Sequence, residues 1–181
     1  MGFFGWFWKR PAPAPLYSVV NEDHVRLYQI LGELRQTIGG RGDDAVSRAG
    51  KRKRMLGVVQ RLIAECEDHF LREEALMVLH GFPGLAHHRA EHRALSRNVQ
   101  GYASRLASGQ APITQDVSQF FKDWLTTHIR STDRLLERFL FSACKDRDLH
   151  GEFAPGHVDM ARFAAMVEQL RAARGAPERA G

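Results

Sequence analysis

Side chains able to bind a metal ion recur along this chain at helical spacings: His24, then His69 with Glu73, then His88 with His92, then His128 with Asp133. An α-helix turns once in 3.6 residues, so positions four apart share a face. The two middle pairs therefore each aim two donors at one point. Amphipathic segments that carry such donors on their inward faces describe a helical bundle with a metal site in its core.

The intervening sequence supports that architecture. A first helix is predicted from Tyr17 or Ser18 to the Gly39-Gly40 pair, with His24, Leu27 and Leu31 on one face. A second leaves the polar stretch Gly42-Asp43-Asp44 and runs to Leu79, placing Leu62, Phe70, Leu76 and Met77 beside His69 and Glu73. Gly81-Phe82-Pro83-Gly84 breaks it, because proline lacks an amide donor and glycine favours turns. A third helix covers Leu85 to Ala107, Gly109 and Pro112 mark the next connection, and a fourth runs from Thr114 to Phe141. Phe121, Trp124, Leu125 and His128 share a broad face of that fourth helix. Short connections make consecutive helices antiparallel. The segment Val158 to Arg174 reads as a fifth, amphipathic helix with no ligand candidate beyond His157, and no period-2 stretch argues for a sheet. The expected fold class is all-α. An N-terminal arm (1–16) precedes an antiparallel up-down four-helix bundle (17–145), and a C-terminal extension (146–181) carries the short extra helix.

A chain of 181 residues with 44% hydrophobic content can bury the core that one such domain needs. Its formal charge of +5 is mildly basic and implies no nucleic-acid partner. Cys66 and Cys144 form no CxxC pair and no disulfide framework, which fits a reducing cytoplasm. The arm differs from everything else, with Phe3, Phe4, Trp6, Phe7 and Trp8 ahead of Lys9 and Arg10, and then Pro11, Pro13 and Pro15 as a stiff spacer. This run is too short to cross a bilayer and lacks the leading positive charge of a signal peptide. Gly2 does not begin a myristoylation motif, because Trp6 stands where that motif wants Ser or Thr. Two readings of the arm stay open: it folds back on the bundle, or it anchors at a membrane interface beside a membrane oxidase. A monomer or weak oligomer is expected.

Five imidazoles and two carboxylates exceed the three or four protein ligands of an ordinary zinc site, but they suit two ions sharing bridging carboxylates. A carboxylate bridges well because each oxygen can hold one ion, whereas an imidazole offers a single nitrogen. Imidazole-rich ligation suits iron, copper or zinc more than magnesium or calcium.

This constellation resembles the hemerythrin family, specifically its single-domain bacterial members. The matching stretches are Glu22-Asp23-His24, His69-Phe70-Leu71-Arg72-Glu73, His88-Arg89-Ala90-Glu91-His92 and Trp124-Leu125-Thr126-Thr127-His128-Ile129 through Asp133. The resemblance covers Asn21 to Phe141. It implies a non-haem centre of two Fe ions joined by an oxo or hydroxo bridge. His88, His92 and His128 would hold one iron, His24 and His69 the other, and Glu73 and Asp133 would bridge. Asp133 is assigned by the resemblance and not by spacing, since five residues on an ideal helix overshoot a full turn by about 140°. A local π-type bulge would realign it. The implied activity is reversible O2 binding at the iron with two histidines, for storage, delivery or sensing, in a binding protein rather than an enzyme. Leu27, Met77, Trp124 and Ile129 are candidates for the apolar wall of the O2 pocket, chosen by helical spacing to the ligands; ordinary core packing is the alternative for each.

Two rival chemistries use the same residues. His88-Arg89-Ala90-Glu91-His92 fits the HxxEH pattern of zinc peptidases, but that reading leaves His24, His69, Glu73 and His128 without a role. A di-iron enzyme with peroxidase, oxidase or nitric-oxide chemistry is the other; five histidines against two carboxylates argue for binding over oxidation. The basic run Lys51-Arg52-Lys53-Arg54 reads as a solvated helix end. His80, His87, His150 and His157 fall off the ligand registers, and His87 with Glu91 forms its own i,i+4 pair expected at the surface. Asp123 is expected on a solvated face. Cys66, one turn before His69, reads as a small buried hydrophobe or a redox-sensitive thiol.

Overall fold

Apolar residues at spacings of three and four produce helices throughout the computed structural model, which describes residues 15–40, 45–148 and 160–175. The elements are α1 (Pro15–Gly39), α2 (Ala45–His80), α3 (Leu85–Ala107), α4 (Gln115–His128), α5 (Arg134–Asp148) and α6 (Met160–Gly175). Five π-helical residues, Ile129–Asp133, join α4 to α5, and right-handed helical backbone runs through both junctions. The fourth rod of the bundle is thus α4, the π-turn and α5 together. No strand occurs among the described residues. The aromatic run Phe3 to Trp8, with the membrane reading attached to it, lies outside the described residues, as do His150 and His157.

Boundaries differ from expectation at the start of α1 and at the end of the fourth rod. α1 starts at Pro15 rather than Tyr17, because a proline is tolerated in the first turn, where its missing N–H has no intrahelical acceptor to satisfy. The fourth rod continues past Phe141 to Asp148; the expected start of the extension helix at Val158 lies outside the described residues, and α6 is described from Met160.

Two tight corners set the antiparallel arrangement. At the end of α2, Gly81 takes φ 65°, which lets its own N–H reach Val78 O at 3.3 Å and the N–H of Phe82 reach Met77 O at 2.9 Å. This closes the helix with the left-handed residue that glycine tolerates. After α3, Gly109 at φ 80° plays the same part, and Gln110 N donates to Arg105 O at 2.8 Å. Lys51, expected on a solvated end, instead folds its ammonium onto Ile38 O at 3.2 Å. A cation there meets the negative end of the α1 dipole.

The bundle packs α1 against α2 and α4, and α2 against α3, while α6 lies on the outside of α2. Its core has two apolar layers. One gathers Leu34, Met55, Val59, Leu62, Val99, Tyr102, Leu106, Phe121 and Leu125; the other gathers Val20, Leu71, Ala75, Leu76, Met77, Leu136 and Leu140, with Phe163 and Val167 of α6. The polar donors come between these layers along the chain, as Val20, His24, Leu27 in α1 and Leu125, His128, Asp133, Leu136 in the fourth rod. The first layer holds its rods together away from the donors. Leu34→Ala, at a site with no exposure, should therefore cost about 2–5 kcal/mol in urea denaturation of the metal-free chain. A loss below about 1 kcal/mol would show that this layer is not close-packed.

Candidate metal centre

His69 and Glu73 share a face of α2, His88 and His92 share a face of α3, and all four are buried to 1% exposure or less. His24 enters from α1, and His128 with Asp133 from the fourth rod. These side chains meet in two groups: Glu73, His88, His92, His128 and Asp133 in one, and His24, His69, Glu73 and Asp133 in the other. Within each group one donor atom per residue lies within 4.8 Å of all the others. The two carboxylates belong to both groups, and the histidines divide three and two.

The atoms facing one another are the ones a cation needs. Oε2 of Glu73 lies 3.2 Å from Nε2 of His88, 3.2 Å from Nε2 of His92 and 3.7 Å from Nε2 of His69. Asp133 splits its oxygens: Oδ1 sits 2.9 Å from Nε2 of His128 and 3.2 Å from Nε2 of His88, while Oδ2 sits 3.2 Å from Nε2 of His24. The separation of His128 and Asp133 by five residues, awkward for an α-helix, is met by the π-turn Ile129–Asp133. Hydrogen bonding from i to i+5 stacks those two residues. Hydroxyls assist locally, with Ser131 Oγ bonded to Thr127 O and Thr126 Oγ1 to Lys122 O, both at 2.7 Å. Such back-bonding bends a helix.

Convergence leaves buried polar atoms without a geometrically sound hydrogen bond: Nε2 of His24, His69, His92 and His128, Oε1 of Glu73 and both oxygens of Asp133. An unsatisfied buried group costs on the order of 1–3 kcal/mol, so seven such atoms aimed at one region need a common partner. A metal ion satisfies imidazole nitrogens and carboxylate oxygens together, and the donor set fits a metal rich in imidazole ligands. In the metal-free chain protons fill that role in part. Burial opposes charging of His88, but the Asp133 and Glu73 carboxylates, each with an oxygen 3.2 Å from its Nε2, outweigh it and raise its pKa to about 9. The same contest raises His69 and His128, whereas for His92 burial wins and its pKa falls. Burial also opposes the Glu73 and Asp133 carboxylates, yet the surrounding histidines hold both below the usual carboxylate range.

Behind the donors stands a ring of carboxylates that the sequence reading did not assign. Asp23 Oδ2 lies 3.4 Å from Nδ1 of His69, Glu74 Oε1 lies 3.3 Å from Nδ1 of His92, and Glu91 Oε2 lies 2.9 Å from Nδ1 of His128. A carboxylate on Nδ1 fixes the tautomer that leaves Nε2 free to ligate and makes that nitrogen more basic. Asp23 is held by Arg72 Nε at 2.7 Å and by Arg26. Glu91 was expected as the surface partner of His87 or, in the rival peptidase pattern, as the glutamate of HxxEH. That pair exists at 3.3 Å, with His87 well exposed, but the second oxygen of Glu91 turns inward to His128 and to Thr132 Oγ1 at 2.7 Å. Glu91 thus sits on the far edge of His128, away from the converging Nε2 atoms, and is not placed as the general base of an HxxEH peptidase.

Aromatic rings close the donor layer. Phe70 stacks on His92 with centroids 3.9 Å apart, and Trp124 stacks on His128 at 4.8 Å. Among the pocket candidates, Leu27, Trp124 and Ile129 pack with the first apolar layer and Met77 with the second. Phe70, missed as a candidate, touches His69, His92 and His128. Its spacing signal was adjacency to His69. Cys66 is buried, and burial pushes its thiol up to about 12, which favours a small hydrophobe over a reactive thiol. Asp123 is exposed, as expected.

The sequence model of the hemerythrin HHE cation binding domain matches residues 16–140. The chain belongs to the hemerythrin family. It is 27% identical over 115 residues to a bacteriohemerythrin of Methylococcus capsulatus, an alignment covering 64% of this chain and 81% of the relative. A bacteriohemerythrin of Stenotrophomonas maltophilia is 26% identical over 118 residues, with 65% and 70% covered. Myohemerythrin-1 of Phascolopsis gouldii is 30% identical over 77 residues, covering 42% and 59%. A hemerythrin crystal structure superposes with a TM-score of 0.60 at 25% identity, covering 68% of this chain and 88% of that one. Proteins of this family bind non-haem iron and O2. The cluster is accordingly one that can hold iron. No helix among the described residues is long and apolar enough to cross a membrane.

Metal must displace protons from this cluster, so binding of ferrous iron at pH 7 should release protons and weaken as the pH falls. The raised pKa of His88 has a second consequence, in the metal-free chain. Its stabilising contribution is complete below the ordinary histidine value of 6.5 and is lost as pH rises through about 9. Calorimetric titration in buffers of different ionisation enthalpy reads the protons, and melting of the metal-free chain across that range reads the stability. Metal uptake without proton release would contradict this account of the cluster.

Proposed function

We propose that this centre holds two iron ions and binds O2 reversibly. His88, His92 and His128 ligate one iron, His24 and His69 the other, and Glu73 and Asp133 bridge them. The observation that carries the reading is the division of oxygens in Asp133, one toward His128 and His88 and the other toward His24. One carboxylate facing two separate imidazole groups is what a bridge requires.

The ligand count gives the two irons different work. Three imidazoles, one oxygen from each carboxylate and a bridging oxygen would fill six positions at one iron; two imidazoles, the other oxygen of each carboxylate and the same bridging oxygen would leave one position open at the other. The pair of ferrous ions supplies the two electrons with which O2 is held. Everything else falls to the protein. Glu73 and Asp133 fix the spacing of the ions, while Asp23, Glu74 and Glu91 hold three of the imidazoles with Nε2 inward. Leu27, three residues after His24, and Phe70, which stacks on His92 and meets His69, keep water from the centre, and both are at most 1% exposed. Trp124 covers His128, and Ile129 packs at the start of the π-turn. Excluding water and stray protons is what lets bound O2 leave unchanged. The surplus of imidazole over carboxylate supports binding rather than oxidation.

Anaerobic reconstitution with ferrous iron, followed by optical titration with O2 and then argon, tests the reading directly. Two irons per chain and a charge-transfer band that appears with O2 and disappears under argon are expected. Irreversible oxidation on first exposure would instead make it an oxidase. His92→Ala should lose one iron or both, and Glu73→Gln should be as damaging, because a neutral amide cannot bridge two cations. Two tightly held irons in either variant, by metal analysis, would remove that residue from the centre.

A further inference from the structure

Helix α6 carries no metal donor, yet it reaches the centre. Its stripe of Phe163, Met166, Val167 and Leu170 packs on the second apolar layer. One turn further, Nη2 of Arg174 lies 2.5 Å from Oε1 of Glu74. The same oxygen lies 3.3 Å from Nδ1 of His92, and the other oxygen of Glu74 accepts Nε of Arg89 at 2.8 Å. Glu74 is 2% exposed, so its charge has been taken out of water and answered by two guanidinium groups from two different helices. Arg171, on the same helix, makes a contrasting set of contacts: it reaches Asp68 at 2.9 Å and Glu168 at 2.6 Å, all of them exposed. Docking of α6 thus rests on apolar contact and a surface pair, while Arg174 is spent on a buried carboxylate.

We propose that Arg174 is a positioning residue of the metal centre, reaching in from the C-terminal helix to fix Glu74 against Nδ1 of His92. With both guanidinium groups present, each oxygen of Glu74 is pinned, and Oε1 keeps a lone pair directed at the imidazole N–H. With Arg89 alone, the carboxylate keeps one partner and can rotate about it, and its buried charge is only half compensated. An anionic, fixed Glu74 makes His92 a better-oriented and more basic ligand. The coupling is reciprocal: metal loading tightens α6, and whatever holds α6 tightens the metal. The inference rests on the proposal that the cluster binds metal through His92.

The test uses the full chain and cobalt(II), whose ligand-field bands report ligand geometry without O2 chemistry. Arg174→Ala and Arg174→Gln should each weaken cobalt affinity, measured against a competing chelator, by roughly 3- to 10-fold. That is less than the roughly 10–100-fold typical of losing a direct outer partner of a ligand. Both should shift the ligand-field bands, and Arg174→Lys should restore most of the loss. Arg171→Ala removes an ion pair between the same two helices and should change neither reading. Metal loading should also slow amide exchange in α6 of the wild type more than in Arg174→Gln. If Arg174→Gln and Arg171→Ala match the wild type in affinity and spectrum, α6 merely packs on the bundle and the proposal fails. A wild-type chain that binds no cobalt would overturn the metal-centre reading itself, which separates the two failures.

Discussion

Glu73 and Asp133 are fully buried, and each faces imidazoles from more than one helix. Moving a carboxylate out of water costs several kcal/mol unless charge and hydrogen bonds are arranged around it. That arrangement fixes the relative height of all four rods, because a one-turn slip of any of them would withdraw its donors from the layer. The apolar layers on either side supply the force that keeps the rods together. Their buried side chains are mostly Leu, Val, Met and Phe.

Charge is layered outward from this point. Nearest the centre are the two shared carboxylates and five imidazoles; behind them stand Asp23, Glu74 and Glu91; outside those come Arg26, Arg72, Arg89 and Arg174. Each layer answers the charge of the one within it, which is why anionic groups can surround the centre without repelling one another into solvent. Glu91 departs from the pattern. It is answered by Thr132 and His87 and not by an arginine, and it is the most exposed of the three outer carboxylates. Water screens what protein does not.

How much of this was legible depended on distance along the chain. The pairs His69/Glu73 and His88/His92 could be read because four residues on a helix bring two side chains to one place. The apolar stripes of all four rods, the break at Gly81 to Gly84 and the span of α3 followed from local rules for the same reason. Asp133 was assigned through resemblance to a family, since its alignment with His128 needs a π-turn and no residue between them announces one. The outer carboxylates were missed for a different reason. Asp23 lies 46 residues from His69 and Glu74 lies 18 from His92, and on their own helices they carry no mark that separates them from surface acids.

The sequence by itself determined the elements, their amphipathic faces and the pairing of His69 with Glu73 and of His88 with His92, because helical periodicity is a local property written into consecutive residues. Only the tertiary structure decided how those donors pair across helices, which carboxylate stands behind which imidazole, and that Arg174, a full 100 residues from Glu74, reaches the same centre. The physical reason is that a charge finds its partner by proximity in space, and the order of the chain fixes that proximity only after the apolar layers have packed.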